Sequence, residues 1–105
     1  MGMISVVGFK PKAGMETELL DALADRVALL RRLGLATDRP TITARARGGV
    51  IVEISEWVDQ DAIGRAHETP EVTALWTRFD ACSEYVKLGS LEECDELFAT
   101  FETIR

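Results

Sequence analysis

From Gly14 to Leu33 the apolar residues Met15, Leu19, Leu20, Leu23, Val27, Leu30 and Leu33 return every three or four positions. This spacing predicts one buried stripe on a helix of about five turns. Glu16, Glu18 and Asp21 near its start and Arg31 and Arg32 at its end suit the helix dipole, and Gly34 suits the residue just past the end. On either side the period shortens to two. Ile4 to Lys10 is rich in β-formers and stops at Pro11, which has no N–H to give to a ladder. Thr41 to Arg47 alternates, Gly48-Gly49 reads as a two-residue hairpin turn needing positive φ, and Val50 to Trp57 returns as the partner strand.

After Asp59-Gln60-Asp61 the helical period resumes and is broken at Thr69-Pro70. Proline is tolerated in a helix only in its first turn, so one short helix ends near His67–Glu68 and another starts at Pro70 with Thr69 as its N-cap. The second helix carries the stripe Val72, Leu75, Trp76, Phe79 and Cys82. Tyr85 to Ser90 reads as a fourth strand. Beyond Leu91, residues Cys94, Leu97, Phe98, Phe101 and Ile104 again stand at helical spacing, behind an acidic start. The order is β-α-β-β-α-β plus a terminal helix. That is an α+β, ferredoxin-like fold with a four-stranded antiparallel sheet and helices on one face.

Alternation sorts the strand residues into two faces. Val50, Val52, Ile54, Ile42, Ala44, Val86 and Leu88 are expected to meet the helices. The opposite face then carries Arg45, Arg47, Glu53, Tyr85 and Lys87, interrupted by Phe9, Ile51 and Trp57. Such a face is either solvated with scattered hydrophobes, as antiparallel sheets allow, or covered by a second copy packed sheet to sheet. The large apolar side chains favour the second reading, a homodimer.

Composition narrows the function classes. The 105 residues are expected to form a single domain over 1–105. A net charge of −6 argues against nucleic acid and against an anionic membrane surface as partners. No apolar run is long enough to span a bilayer, and the start MGMISVVGFK lacks the charged head of a signal peptide. Cys82 and Cys94 with one histidine are too few and too scattered for a zinc site, so no metal is expected. Both cysteines fall on apolar faces and read as buried, reduced thiols of a cytoplasmic protein.

The run EISEWVDQDAIGRAHETPEVTALWTRF, with Trp57, Asp59, Asp61, Ala62, Ile63, His67 and Pro70, resembles the antibiotic biosynthesis monooxygenase-like family of dimeric α/β barrels. The opening strand before KPKAGME and the central glycine pair are similar too, so that the resemblance covers most of residues 3–90. It implies a homodimer of packed sheets, with a pocket inside the barrel or between each sheet and its own helices. It also implies cofactor-independent oxidation of polycyclic aromatic compounds, and, in one branch, haem degradation by Asn, Trp and His. His67 matches that histidine. Val7 stands at the asparagine position and Asp61–Gly64 holds no tryptophan, so haem degradation is not expected.

His67 is the one imidazole available for acid–base work near neutral pH, against the plainer reading of a buried or helix-capping histidine. Trp57 suits either a sheet face or stacking on an aromatic ligand, whereas Trp76, on its stripe, is expected in the core. Phe9, Trp57 and Tyr85 are candidates to line a pocket for a small hydrophobic or aromatic ligand, with Arg45, Glu53 and Lys87 to orient a carbonyl or carboxylate. Arg45 and Glu53 equally suit a simple cross-strand ion pair. No triad order or phosphate loop is present, and no cofactor is expected. Two functions follow: a cofactor-independent monooxygenase or isomerase acting on an aromatic or polyketide-like compound, or a non-catalytic dimeric binding or stress-associated module.

Overall fold

The computed structural model describes residues 2–105. Strand β1 (Met3–Pro11) leads into helix α1 (Glu16–Arg32), followed by β2 (Ile42–Arg45), β3 (Ile51–Trp57), α2 (Gln60–His67), α3 (Pro70–Cys82), β4 (Ser83–Val86) and a short β5 (Glu102–Thr103). The sheet is antiparallel throughout, in the order β4-β1-β3-β2-β5. Gly34 ends α1 with φ of +73°, as its place in the sequence predicts. The break at Thr69-Pro70 falls where expected, although the Thr69 hydroxyl donates back to the Arg65 carbonyl instead of capping α3.

The hairpin turn is one residue longer than a glycine pair requires. Ala46 N–H donates to the Val50 carbonyl and Gly49 N–H to the Ala46 carbonyl, with only Gly49 at positive φ (+90°). Gly8 matters for a different reason. A Cβ there would stand 2.9 Å from the Val86 carbonyl oxygen, which is backbone and has little room to retreat. Gly8→Ala is therefore expected to force β1 and β4 apart at a cost of about 1–3 kcal/mol, read as a lower urea midpoint. An unchanged midpoint would mean that β4 moves freely.

Strand alternation groups the side chains as expected, but the two faces are exchanged. Phe9 lies opposite both Ile51 and Tyr85, and Val7 opposite Glu53, so these share a face. That face meets the helices: Phe9 and Ile51 are buried with Leu19, Ala22, Leu23, Phe79 and Cys82. The face of Val50, Val52, Ile54 and Val86 looks away. A fully buried Glu53 on the helix side is tolerated because Arg26 of α1 reaches it as an ion pair.

The end of the chain partly covers the outer face. No terminal helix forms; residues 88–90 and 92–95 make short 3₁₀ turns and β5 then pairs with the edge of β2. Leu88, Leu91 and Phe101 pack on Ala46, Val50 and Val52. Arg47 holds this segment through ion pairs with Glu92, Glu93 and Glu96. Buried Glu93 accepts the Arg47 backbone N–H at 2.7 Å, a bond that holds its carboxyl below the usual range. These contacts satisfy the charges and the sheet edge better than an isolated amphipathic helix, which gains little without a surface to pack on. Leu97 and Phe98 are left in solvent.

Candidate functional site

A pocket of about 460 Å³ opens between the sheet and its own helices, within the 300–1,000 Å³ usual for small-molecule sites. Ser5 and Val7 of β1 and Tyr85 of β4 form its sheet side, with Trp57 at the end of β3. Arg26 and Leu30 of α1, Ile63 and His67 of α2, and Trp76 and Asp80 of α3 form the helical side. The lining is mostly apolar and aromatic with a few polar groups, the composition that favours a planar organic ligand.

Each wall is held by identifiable bonds. Asp59 caps α2 by accepting the Ala62 N–H at 2.7 Å, setting the helix that carries His67. The His67 Nδ1 lies 2.7 Å from the Ile63 carbonyl, and its ring meets the Trp76 ring edge-on at 5.2 Å. A neutral imidazole bonded this way donates from Nδ1 and carries its lone pair on Nε2. Trp57 Nε1 donates to the Ser5 hydroxyl at 3.0 Å, pinning the indole across β1. Tyr85 stacks at a tilt on Phe9, with ring centroids 5.3 Å apart. Partial burial pushes its phenol up, against the pull of nearby Arg26, so the hydroxyl stays protonated at neutral pH and can donate.

Of the residues expected here, Trp57, Tyr85 and His67 come together around the pocket. Phe9 is fully buried beneath Tyr85, and Glu53 lies below Arg26. Arg45 is bound elsewhere, between Glu16 and Glu102, and so makes no pair with Glu53. Lys87 follows β4, exposed, with its carbonyl taken up by the Ser90 turn. Trp76 is not a core residue; it is 37% exposed and lines the pocket. Cys82 is buried as expected but Cys94 is exposed, and both are free thiols.

Arg26, Ser5 and Asp80 belong to the site without having been singled out in the sequence. Arg26 had a readable signal. It sits three residues after Leu23 and four before Leu30, on the inward stripe of α1. Its guanidinium lies over the rings of Phe9 and Phe79, 5.8 and 5.5 Å from their centroids, and pairs with Glu53. Burial pushes the Glu53 carboxyl up, and Arg26 opposes that rise.

The fold has a counterpart among solved structures. SnoaB, a cofactor-independent oxygenase from Streptomyces nogalater, superposes with a TM-score of 0.68 at 24% identity, over 81% of this chain and 86% of that one. The likeness bears out the fold of the antibiotic biosynthesis monooxygenase-like family, read from residues 53–79 and the opening strand. No protein-family model and no curated protein sequence matches the chain.

Proposed function

We propose that this protein binds a small aromatic or polyketide-like compound between its sheet and helices and oxidises or isomerises it as a cofactor-independent monooxygenase or isomerase. The observation that carries this reading is the 460 Å³ aromatic pocket with an imidazole on its wall. The oxygenase activity of a protein of the same fold adds support. In the oxygenase form, His67 Nε2 takes one proton from a ring methylene conjugated with a carbonyl, and the resulting enolate reduces dioxygen and bonds to it as a carbon-bound peroxide. Protonation of the outer oxygen and loss of the second methylene proton cleave the O–O bond, leaving a carbonyl at that carbon and releasing the other oxygen as water. Trp57 and Trp76 hold the ring system, and Tyr85 donates to the developing oxyanion.

Oxygen uptake with a panel of polycyclic phenols and their keto tautomers, above the uncatalysed rate, is the expected result. Binding without uptake or isomerised product supports the second reading, a binding module. Neither binding nor turnover overturns both.

The partner is a second copy of this chain, meeting the outer sheet face. Val6 lies opposite Ile54 and Ile54 opposite Ile42, which makes an apolar row across three strands next to Ile4. Val6, Ile42 and Ile4 are 38%, 49% and 54% exposed. We expect a dimer in sedimentation at micromolar concentration and a folded monomer for Val6→Asp. A wild-type monomer, or a Val6→Asp dimer, would overturn this. Among the described residues no helix is long and apolar enough to cross a membrane. Two free thiols suit the reducing cytoplasm.

A further inference from the structure

Among the described residues, Arg26 holds the one buried side-chain nitrogen or oxygen left without a hydrogen-bond partner. A guanidinium carries five N–H donors, yet its one hydrogen bond to protein runs from Nη2 to Glu53. The unpartnered atom is Nε, enclosed without any acceptor. The enclosed Nε cannot itself reach a ligand, but Nη1 makes no hydrogen bond to protein either. Nη1 belongs to a side chain that keeps 13% of its surface exposed and lines the pocket; it is the donor left for a partner from outside the chain. The group is also fixed in place. It lies over the stacked rings of Phe9 and Phe79, Glu53 anchors it from below, and it lines the aromatic pocket. A rigid, desolvated, under-used guanidinium beside aromatic walls is well suited to an anionic oxygen, because charge-assisted hydrogen bonds are strong where water is excluded.

We propose that Arg26 anchors the ligand, and that the ligand is an aromatic compound bearing an ionised oxygen, either a carboxylate or an acidic enol conjugated with the ring. The inference rests on the aromatic-pocket reading above and names the chemical group it selects. Tyr85, which stacks on the same Phe9 ring, supplies a second donor to that oxygen. Glu53 balances the arginine charge when the pocket is empty and keeps the guanidinium from swinging out to solvent.

Isothermal titration calorimetry with two matched pairs tests the anchor: naphthalene-2-carboxylate against its carboxamide, and 2-hydroxy-1,4-naphthoquinone against 1,4-naphthoquinone. The wild type is expected to prefer the ionised member of at least one pair by about tenfold or more, the size of one charged hydrogen bond. The pair that shows the preference tells carboxylate from enol. Arg26→Gln alone would leave Glu53 buried and unpaired, so the comparison uses the charge-balanced double variant Arg26→Gln/Glu53→Gln, checked for its melting transition. There the preference should fall to within about twofold while the neutral members still bind. Equal binding of ionised and neutral members by the wild type, or a preference that survives in the double variant, overturns the anchor and leaves the pocket standing. No binding by any of the four overturns the aromatic-pocket reading and the anchor with it.

Discussion

Arg26→Met is expected to destabilise the protein by about 3–5 kcal/mol at pH 8 and by far less at pH 4. The variant keeps most of the volume of the side chain but removes the cation paired with Glu53, whose side chain is 1% exposed. Burial already raises the Glu53 carboxyl above its ordinary 4.5, and Arg26 is what opposes that rise. Without Arg26 the folded protein holds the Glu53 proton to still higher pH, while the unfolded chain releases it near the ordinary value. Below that value the carboxyl is neutral in both states and the substitution costs little electrostatically. As pH climbs from 4.5 toward the raised folded value, the unfolded state binds fewer protons than the folded one and stability falls. Urea midpoints at pH 4 and pH 8 measure the difference. The double variant Arg26→Met/Glu53→Leu should recover most of the loss, because an apolar pair of similar volume commonly replaces a buried ion pair without net cost. An Arg26→Met deficit equal at both pH values would show that the side chain contributes packing alone.

The same pair explains what could and could not be read from the sequence. Period-two alternation placed Phe9, Arg45, Ile51, Glu53, Trp57 and Tyr85 on one face, and the register agrees. Which face met the helices was not legible from the strands, because Glu53, Arg45 and Tyr85 argue for solvent when each strand is taken alone. The answer lay in α1: an arginine on its inward stripe requires an acidic partner inside, and Glu53 is that partner. The reversal also moves the dimer argument from the mixed face, now covered by the helices, to the row of Val6, Ile54 and Ile42. Helix boundaries at Gly34 and Thr69-Pro70 were readable since local backbone chemistry sets them. The tail was not. The helical spacing of Cys94, Leu97, Phe98 and Phe101 competes with contacts distant in sequence, from Arg47 to three glutamates and from the edge of β2 to Glu102 and Thr103. The pocket itself was half legible. Trp57, Tyr85 and His67 converge there, but Arg45 and Lys87 do not, since their positions relative to a cavity depend on how α1 and α3 lie across the sheet.

His67→Ala is expected to lower turnover on an oxidised or isomerised substrate by about 10²–10⁴-fold, the usual contribution of a positioned base. The competing role for this residue is structural: Nδ1 satisfies the Ile63 carbonyl in the last turn of α2. The two roles separate in three readouts. A capping role alone predicts a loss of about 0.5–1.5 kcal/mol in stability, comparable to one hydrogen bond, with turnover unchanged. A base predicts the opposite balance, with kcat falling and KM nearly constant, because the imidazole rests against the Trp76 ring while Nε2 makes no bond to protein. Added imidazole should also restore part of the rate, since Ala at position 67 leaves room for it beside Trp76 in a half-exposed wall of the pocket. His67→Gln sharpens the comparison, as it keeps a hydrogen-bonding group but supplies no base, and so should remain as slow as His67→Ala. Full turnover in either variant would assign the proton transfer to the substrate and solvent and reduce His67 to the helix end it closes.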